Sequence, residues 1–339
     1  MLLADALVAS LTLLGFRSIC LPRKLAKKYT FSGTGLFQRI AVDLLLGRIV
    51  LREGVCRGYP VSQYKGVNIV LERSSGVETE LIIEPASTAK KAHDKIVKLT
   101  DELRPRKPVF VIDMVLWDIL SDTEKNEFYK QFLVLLSTIR SYLFDDCLVI
   151  APTPPEVKNK IGEWGLRHKV VLLDVTAAEL FSKIKPKKVV MLDPYAPTEL
   201  KRTDLDSDVF ILGGIIDKEF PRPYATYTMY LIEEFDKMNV ERRSLRLWGS
   251  VIGVPDRLNK VVEIVLNARW EKDINRSIVD SMSFSDKFSR LVYETQKLSR
   301  SKPLCLEVVK DIAEKLSLRG KELEKALNRI KRAVAVVEC

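Results

Sequence analysis

The spacing of apolar and polar positions changes along the chain and divides it into parts. From Val109 onward, short unbroken apolar runs are separated by longer amphipathic stretches. The runs are typical of strands buried on both faces, and the amphipathic stretches are typical of helices. Their alternation predicts the α/β class, with a parallel sheet covered by helices on both faces. The predicted strands are Val109–Asp113, Leu148–Ala151, Lys169–Asp174, Lys188–Asp193, Asp208–Ile216 and Ser244–Trp248, and the clearest helices are Thr123–Leu143, Pro155–Trp164, Ala177–Ile184 and Pro223–Asn239.

The chain before this region has a different pattern. Gly35–Leu46 has helical spacing, Val/Ile runs within residues 48–84 predict a small sheet, and Ser87–Leu103 predicts a basic helix. The apolar segment Met1–Phe16 is shorter than the ~20 residues of a membrane span, and no positive charge precedes it. A buried helix or strand pair is therefore favoured there over a signal peptide. Prolines within residues 104–108 mark a boundary.

The chain after Trp270 carries two amphipathic stretches, Leu304–Leu316 and Lys321–Val334. Their apolar stripes indicate packing rather than recognition. The patterns together predict three domains. They are a basic α+β domain at residues 1–108, a domain with the parallel sheet at 109–270 and a helical extension at 271–339.

The stretch DVFILGGIID, Asp208–Asp217, ends a predicted strand abruptly. Paired glycines at a strand end, here Gly213 and Gly214, permit backbone angles that other residues avoid and allow a ligand to approach the main chain. Asp217 then lies just past the carboxyl end of the strand, where open α/β sheets bind ligands. A tight turn in which the aspartate bonds nearby amides is the alternative interpretation.

Acidic residues follow several of the predicted strands. Each one alone is more often a helix cap or a turn residue than a catalyst. Because the carboxyl ends of parallel strands meet at one edge, we expect them to gather there as a candidate site. The residues are Asp113, Asp174, Asp193 and Asp217.

A second glycine-containing segment follows, from Ser244 to Trp270. A short strand, Leu245–Trp248, is predicted to end at Gly249, and a helix is predicted to open at Pro255–Asp256. Asp256 is most simply a carboxylate in the first helical turn, where it interacts favourably with the helix dipole. A catalytic role for Asp256 is the alternative.

The net charge of +10 is unevenly distributed. Residues 1–108 contain 18 basic and 10 acidic residues, residues 109–270 contain 22 and 24, and residues 271–339 contain 15 and 11. Basic flanks around a near-neutral middle indicate a polyanionic partner such as nucleic acid. The clearest candidate contacts are in LPRKLAKKYTF, where cations lie next to aromatic residues, a combination suited to phosphate contacts and base stacking. A solvated loop is the alternative. The residues are Arg23, Lys24, Lys27, Lys28, Tyr29 and Phe31.

Several classes of protein are disfavoured by composition and motif. The five cysteines are far apart and form no C-x-x-C pair, which argues against a zinc site or a disulfide framework and favours a reducing cytosol. With two histidines in the chain, a histidine-rich metal centre and a His-based triad are poorly supported, and we expect a reaction without metal. No P-loop motif and no G-x-G-x-x-G is present, which disfavours P-loop hydrolases and nicotinamide-dependent oxidoreductases.

The LGGIID string, together with the LNKVVEIVL helix that ends in Trp270, resembles the tRNA methyltransferases that modify N1 of the purine at tRNA position 9. These enzymes belong to the SPOUT class, which has a trefoil knot. The resemblance covers roughly residues 109–270 and implies a monomer that binds tRNA, with S-adenosylmethionine as cofactor. It also implies that three loops hold the cofactor, with the residues Leu192, Leu212, Gly213, Gly214, Asp217, Leu247, Gly249, Leu258 and Asn259.

Within this resemblance, we expect Asp217 to accept a hydrogen bond or a proton from a purine that is flipped out of its stack. Arg222 is expected to contact a phosphate, with a structural salt bridge as the alternative. Adenine and guanine, alone or together, remain open as the target. The chain is expected to be cytoplasmic and not bound to a membrane. Two alternatives also remain open: an enzyme of the same class with another RNA target, and a non-enzymatic RNA-binding protein.

Overall fold

The structure is a computed structural model that describes residues 2–29, 32–87, 93–217, 219–299, 304–333 and 336–337. The chain divides into two compact units. One contains residues 1–109 and 136–174, and the other contains residues 110–135 and 175–339. The three-domain division remains a prediction.

The first unit contains a closed sheet of four strands in the order β1-β3-β2-β4. Its core is formed by apolar side chains of the sheet and of helices α1 and α3, which include Leu7, Phe37 and Ile40, all fully buried. Residues Leu3–Leu13 thus form a buried helix, the first of the two alternatives expected for this apolar segment. The elements are α1 (Leu3–Leu13), β1 (Ser18–Leu21), α2 (Arg23–Ala26), α3 (Gly33–Leu45), β2 (Ile49–Tyr64), β3 (Val67–Glu72), β4 (Val77–Pro85) and α4 (Asp94–Leu103).

A disulfide joins Cys20 on β1 to Cys56 on β2, so the prediction that the cysteines form no disulfide was wrong. In the closed sheet these two strands lie opposite each other, each between β3 and β4. This closure brings together two residues that are 36 positions apart in the sequence. The spacing of the cysteines therefore does not support a reducing compartment.

A six-stranded sheet has the order β10-β8-β9-β5-β6-β7. Strands β10, β8 and β9 pair in parallel, as do β6 and β7. The α/β class is therefore confirmed. The elements are β5 (Val109–Asp113), α5 (Asp122–Arg140), β6 (Leu148–Ala151), α6 (Pro155–Glu163), β7 (Val171–Leu172), α7 (Ala177–Ile184), β8 (Val189–Leu192), β9 (Val209–Gly213), α8 (Ala225–Ile232), β10 (Val240–Arg243) and α9 (Leu258–Glu271).

Two predicted elements of this region were wrong. The last strand of the sheet is β10, whereas the predicted strand Ser244–Trp248 has only isolated bridges. The predicted helix Pro223–Asn239 is interrupted: α8 ends at Ile232 and a short 3-10 helix follows at Phe235–Met238. Glu234 and Asn239, on either side of this 3-10 helix, have positive φ, which stops a regular α-helix.

The last part of the chain contains more helices than the two predicted. These are α10 (Ile274–Ser281), α11 (Phe284–Leu298), α12 (Leu306–Lys315) and α13 (Gly320–Ala333), with a small parallel pair of strands, β11 (Leu304–Cys305) and β12 (Val336–Val337). Among the described residues, no helix combines the length and the apolar character needed to cross a membrane.

Candidate active site

The candidate site begins where β8 and β9 end side by side. Leu192 and Leu212 are paired in register, and both are buried. Gly213 is the last residue of β9, and the N–H of Gly214 donates a hydrogen bond of 2.7 Å to the carbonyl oxygen of Asp113 at the end of β5. The ends of β5, β8 and β9 therefore lie next to one another at this edge of the sheet.

The two glycines are needed for close packing. A Cβ at Gly214 would lie 2.9 Å from the Asp113 carbonyl oxygen, closer than real Cβ atoms approach, and a Cβ at Gly213 would lie 3.1 Å from Sδ of Met229. Neither glycine has a positive φ, so the expectation that this pair adopts backbone angles closed to other residues was wrong. The main chain instead approaches its neighbours more closely than a side chain would allow.

Asp113 is fully buried at this strand edge. Its Oδ1 accepts a hydrogen bond of 3.0 Å from the N–H of Val115, and its Oδ2 has no hydrogen-bond partner among the described residues. Burial raises the pKa of Asp113 to about 8, and the negative charge of Glu233 adds to the rise. Asp113 belongs to the predicted acidic group but is not among the predicted cofactor, catalytic or RNA contacts. Its signal was a single charge at the end of the apolar run VFVI.

The two carboxylates predicted to be catalytic are both exposed. Asp217 lies in the irregular segment after the glycine pair, near enough to Arg222 for its charge to raise the arginine's pKa, although Glu124 has the larger effect. Asp256 precedes Arg257, the N-cap of α9. Because α9 begins at Leu258, Asp256 lies outside the first turn, and the predicted helix start at Pro255–Asp256 was wrong.

Arg222 is held in an ion pair with the buried Glu124. Its Nη1 and Nη2 lie 2.8 Å and 2.9 Å from Oε1 and Oε2 of Glu124, and they also donate to the carbonyl oxygens of Phe220 and Ile119. The arginine holds the pKa of Glu124 at about 2. The guanidinium is thus occupied by the protein, which contradicts the expected phosphate contact and agrees with the salt-bridge alternative.

The other aspartates of the predicted acidic group have separate environments. Asp193 is buried, and its Oδ2 accepts a hydrogen bond of 2.9 Å from Nε of Arg242. Asp174 is exposed and pairs with Lys158 in the first unit. Among the described residues, no group of three or more His, Cys, Asp or Glu side chains could hold a metal ion.

The third predicted loop makes a tight turn at Trp248 and Gly249, whose φ angles are +47° and +80°. Leu247 and Ser250 flank the turn and exchange main-chain hydrogen bonds of 2.9 Å and 3.1 Å. Positive φ at both central residues is the pattern of a type I′ turn, in which a glycine is strongly favoured. Leu258 and Asn259 begin α9, and the N–H of Leu258 donates to Oε1 of Gln131 across 3.3 Å.

Arg290 of α11 fixes this loop from the C-terminal extension. The side chain is fully buried, and its Nη1 donates hydrogen bonds of 3.1 Å to the carbonyl oxygens of both Ser250 and Ile252. Its Nη2 donates to the carbonyl oxygen of Leu247. Gly253 packs against the same helix, because a Cβ there would lie 2.6 Å from the carbonyl oxygen of Asp286. No motif in the sequence indicates this contact of the extension.

The basic segment lies in the first unit, on and just after α2. Its four cations, Arg23, Lys24, Lys27 and Lys28, are exposed. Nε of Arg23 donates to the carbonyl oxygen of Glu72 across 3.2 Å. Tyr29 is buried and its hydroxyl donates to Asp43, so the expectation that it stacks on a base was wrong. Phe31 lies outside the described residues, as do Lys90 and Lys91 of the predicted basic helix.

Comparisons with known proteins give two similar enzymes. The chain is 29% identical over 297 residues to a tRNA (adenine(9)-N1)-methyltransferase of Sulfolobus acidocaldarius, a match that covers 86% of this chain and 89% of the relative. It is 28% identical over 188 residues to a tRNA (guanine(9)-/adenine(9)-N1)-methyltransferase of Thermococcus kodakarensis, a match that covers 56% of this chain and 48% of that enzyme. No family model matches the chain.

The fold is also found in a crystal structure. Sulfolobus acidocaldarius Trm10 in complex with S-adenosylhomocysteine superposes with a TM-score of 0.71 at 24% identity, over 97% of this chain and 99% of that one. A TM-score of this size over both full chains shows that the fold is shared. The resemblance predicted from the glycine string and the helix at Leu258–Glu271 is therefore confirmed, and this chain is a relative of the tRNA purine-9 N1-methyltransferases.

Proposed function

We propose that this protein transfers a methyl group from S-adenosylmethionine to N1 of the purine at position 9 of tRNA. The observation that carries the proposal is the sequence match to a tRNA (adenine(9)-N1)-methyltransferase over most of both chains. The position of the glycine pair at the end of β9 supports it, because this is the edge of an α/β sheet where ligands bind.

The residues at this edge suit a cofactor with an adenine ring, a ribose and a short charged tail. Leu192 and Leu212 supply buried apolar surface, and Gly213, at the junction of β9 and the following loop, is half-buried. Leu247, Gly249, Leu258 and Asn259 remain proposed contacts of the same cofactor. S-adenosylmethionine, when bound, supplies an electrophilic methyl group, so the protein mainly has to align the acceptor nitrogen with it.

Asp217 is proposed to act on the acceptor base. Guanine carries a proton on N1, and an exposed carboxylate beside the glycine pair can accept that proton. Adenine has a free lone pair on N1, so there the carboxylate has only to accept a hydrogen bond from the amino group. Asp256 is the second proposed carboxylate, from the segment that leads into α9.

The tRNA is proposed to bind through the exposed cations of α2 and the residues after it. Contacts from Arg23, Lys24, Lys27 and Lys28 to phosphates would help offset the cost of taking the target base out of its stack. We further propose that the protein is monomeric and cytoplasmic, where it meets its tRNA substrate.

A calorimetric titration followed by a transfer assay tests the proposal. Binding of S-adenosylmethionine should release or absorb heat, and tritiated methyl should then appear in a tRNA transcript. Asp217→Asn should keep the heat of binding and lose most of the transfer, with Asp256→Asn as the parallel variant. A protein that gives no heat and no transfer would instead be a non-enzymatic RNA-binding protein. Undiminished transfer by Asp217→Asn would remove the proposed role of that carboxylate.

A further inference from the structure

Two tyrosine rings of the second unit contact each other at a tilted angle on the protein surface. The ring centroids of Tyr195 and Tyr224 are 4.7 Å apart, and their planes are inclined at 45°. The two residues are 52% and 57% exposed. Neither hydroxyl has a hydrogen-bond partner in the part of the chain that the structure describes. Rings of this size are usually buried or have their hydroxyls bonded, so the pair leaves aromatic surface free for another molecule.

The pair lies beside the candidate site. Tyr195 comes shortly after the end of β8, and its N–H donates a hydrogen bond of 2.9 Å to Oδ1 of Asp193. Tyr224 directly precedes α8. The first turns of α8 lie against the glycine pair, because a Cβ on Gly213 would be 3.5 Å from Oγ1 of Thr226. Tyr195 thus follows the end of β8, and Tyr224 precedes the helix that contacts the end of β9; both strands lead into the proposed cofactor loops.

Buried ion pairs hold the main chain on both sides of this pair. Asp193, which bonds the N–H of Tyr195, is fixed by the guanidinium of Arg242. Arg222, whose carbonyl oxygen accepts a hydrogen bond of 3.1 Å from the N–H of Ala225, is fixed by Glu124. The exposed rings are therefore attached to rigid main chain, as a preformed binding surface requires.

Tyr224 also has an unusual backbone. Its φ is +66°, a conformation that is rare for a residue with a large side chain and is often found at functional sites. A glycine would adopt it without strain. The Tyr224 ring instead contacts the exposed ring of Tyr195.

We propose that Tyr195 and Tyr224 form a platform on which the target purine stacks after it leaves the tRNA stack. The inference rests on the proposed function and adds the subsite for the acceptor base. Every base has a π-face, so stacking on an aromatic ring accepts either purine. Such a platform holds the base at the sheet edge, while Asp217 accepts a proton or a hydrogen bond from the N1 side of the base.

Four variants of the full-length chain test the platform. Tyr224→Gly removes the ring and allows the positive φ, so the protein should stay folded, and Tyr195→Ala removes the partner ring. Tyr195→Phe and Tyr224→Phe keep the rings and lose only the hydroxyls. The control is Tyr59→Ala, a tyrosine of β2 in the first unit that is similarly exposed at 56%. The readouts are the heat of S-adenosylmethionine binding and kcat/KM for methyl transfer to tRNA.

Loss of stacking should lower kcat/KM by roughly ten- to a hundredfold in Tyr195→Ala and Tyr224→Gly, with cofactor binding unchanged. Both Phe variants and the Tyr59→Ala control should stay close to the unmodified protein. An unchanged kcat/KM in Tyr195→Ala and Tyr224→Gly would overturn the platform, as would an equal loss of kcat/KM in the two Phe variants. In both cases methyl transfer by the unmodified protein would still support the proposed function. Absence of transfer by the unmodified protein itself would overturn both proposals.

Discussion

The N–H of Gly214 donates a hydrogen bond of 2.7 Å to the carbonyl oxygen of Asp113. This bond holds the end of β5 next to the glycine pair at the end of β9. The position of a Cβ on Gly214 would be 3.1 Å from Cγ of Met114 and 3.2 Å from Cγ2 of Ile112. Glycine at this position therefore sets how closely two neighbouring strand ends can approach. The proposed cofactor loop depends on that approach.

Replacement of Gly214 by alanine should destabilise the protein and weaken cofactor binding. The added methyl group meets a main-chain oxygen that cannot move aside, and overpacking of this kind costs about 1–3 kcal/mol. Gly162→Ala is a suitable control, because its Cβ would meet nothing within 4 Å and the residue lies within α6. That control should be neutral or more stable by about 0.5–1 kcal/mol. Denaturant unfolding measures the change in stability, and a cofactor titration measures the change in affinity. Equal stability and equal affinity in the two variants would contradict the packing role of Gly214.

Asp113 should make stability depend on pH. Its pKa in the folded protein is raised to about 8 from 3.8, so the folded state holds a proton that the unfolded chain releases. The stability linked to this proton is fully present below about pH 4 and is lost as the pH rises through 8, at about 1.4 kcal/mol per pH unit in that window. Asp113→Asn cannot titrate and should lack this slope. Unfolding free energies at pH 5, 7 and 9 measure it, and parallel curves for both proteins would show that the carboxyl is not buried as described.

Arg290 should couple the C-terminal extension to the third loop. Arg290→Met removes the hydrogen bonds from the guanidinium to the carbonyl oxygens of Leu247, Ser250 and Ile252, and each lost hydrogen bond costs about 0.5–1.5 kcal/mol. Cofactor binding should weaken because the turn at Gly249 is no longer fixed. The control is Arg276→Met on α10, an exposed arginine paired with Asp280 one turn away. If cofactor affinity in Arg290→Met matched that of the control, the extension would have no part in forming the site.

Arg222 should contribute to stability and make no phosphate contact. Arg222→Met leaves the buried Glu124 without its cation, and breaking such a pair costs about 3–5 kcal/mol. The dependence of tRNA affinity on salt should keep its slope. A decrease in that slope of about 0.7–0.9, the value for one phosphate, would instead restore the contact that the sequence analysis expected.

The exposed lysines near α2 should account for part of the salt dependence of tRNA binding. The triple variant Lys24→Gln, Lys27→Gln and Lys28→Gln should lower the slope of log affinity against log salt by about 2–3. A matched control removes three positive charges elsewhere, by Lys130→Gln, Lys158→Gln and Lys160→Gln. These lysines are paired with Glu127, Asp174 and Glu163, respectively. Equal slopes in the two triple variants would show that total charge, rather than this segment, binds the tRNA.

The buried strands and one helix could be predicted because their signals are local. Strands β5 and β6 have the predicted bounds, and α7 matches from Ala177 to Ile184, since an apolar run or a helical stripe is visible within a few residues. Strand β10 was missed because Val240 is followed by three charged residues, and pairing with β8 gives the segment its extended form.

The remaining site features arise from contacts between distant residues. Arg290 is 43 positions from Leu247, and the bond between them depends on how α11 packs. Arg222 and Glu124 are 98 positions apart, so the sequence could not choose between a phosphate contact and a salt bridge. The exposure of Tyr195 and Tyr224 is likewise a property of the folded surface, and tyrosine itself carries no sign of it.

The most direct test compares three tRNA transcripts that are identical except for adenine, guanine or uracil at the ninth nucleotide. After incubation with the protein and tritiated S-adenosylmethionine, label should enter at least one purine transcript and be absent from the uracil transcript, with the methyl group at N1. Equal labelling of all three transcripts, or no labelling of either purine transcript by protein that binds the cofactor, would contradict the proposed reaction.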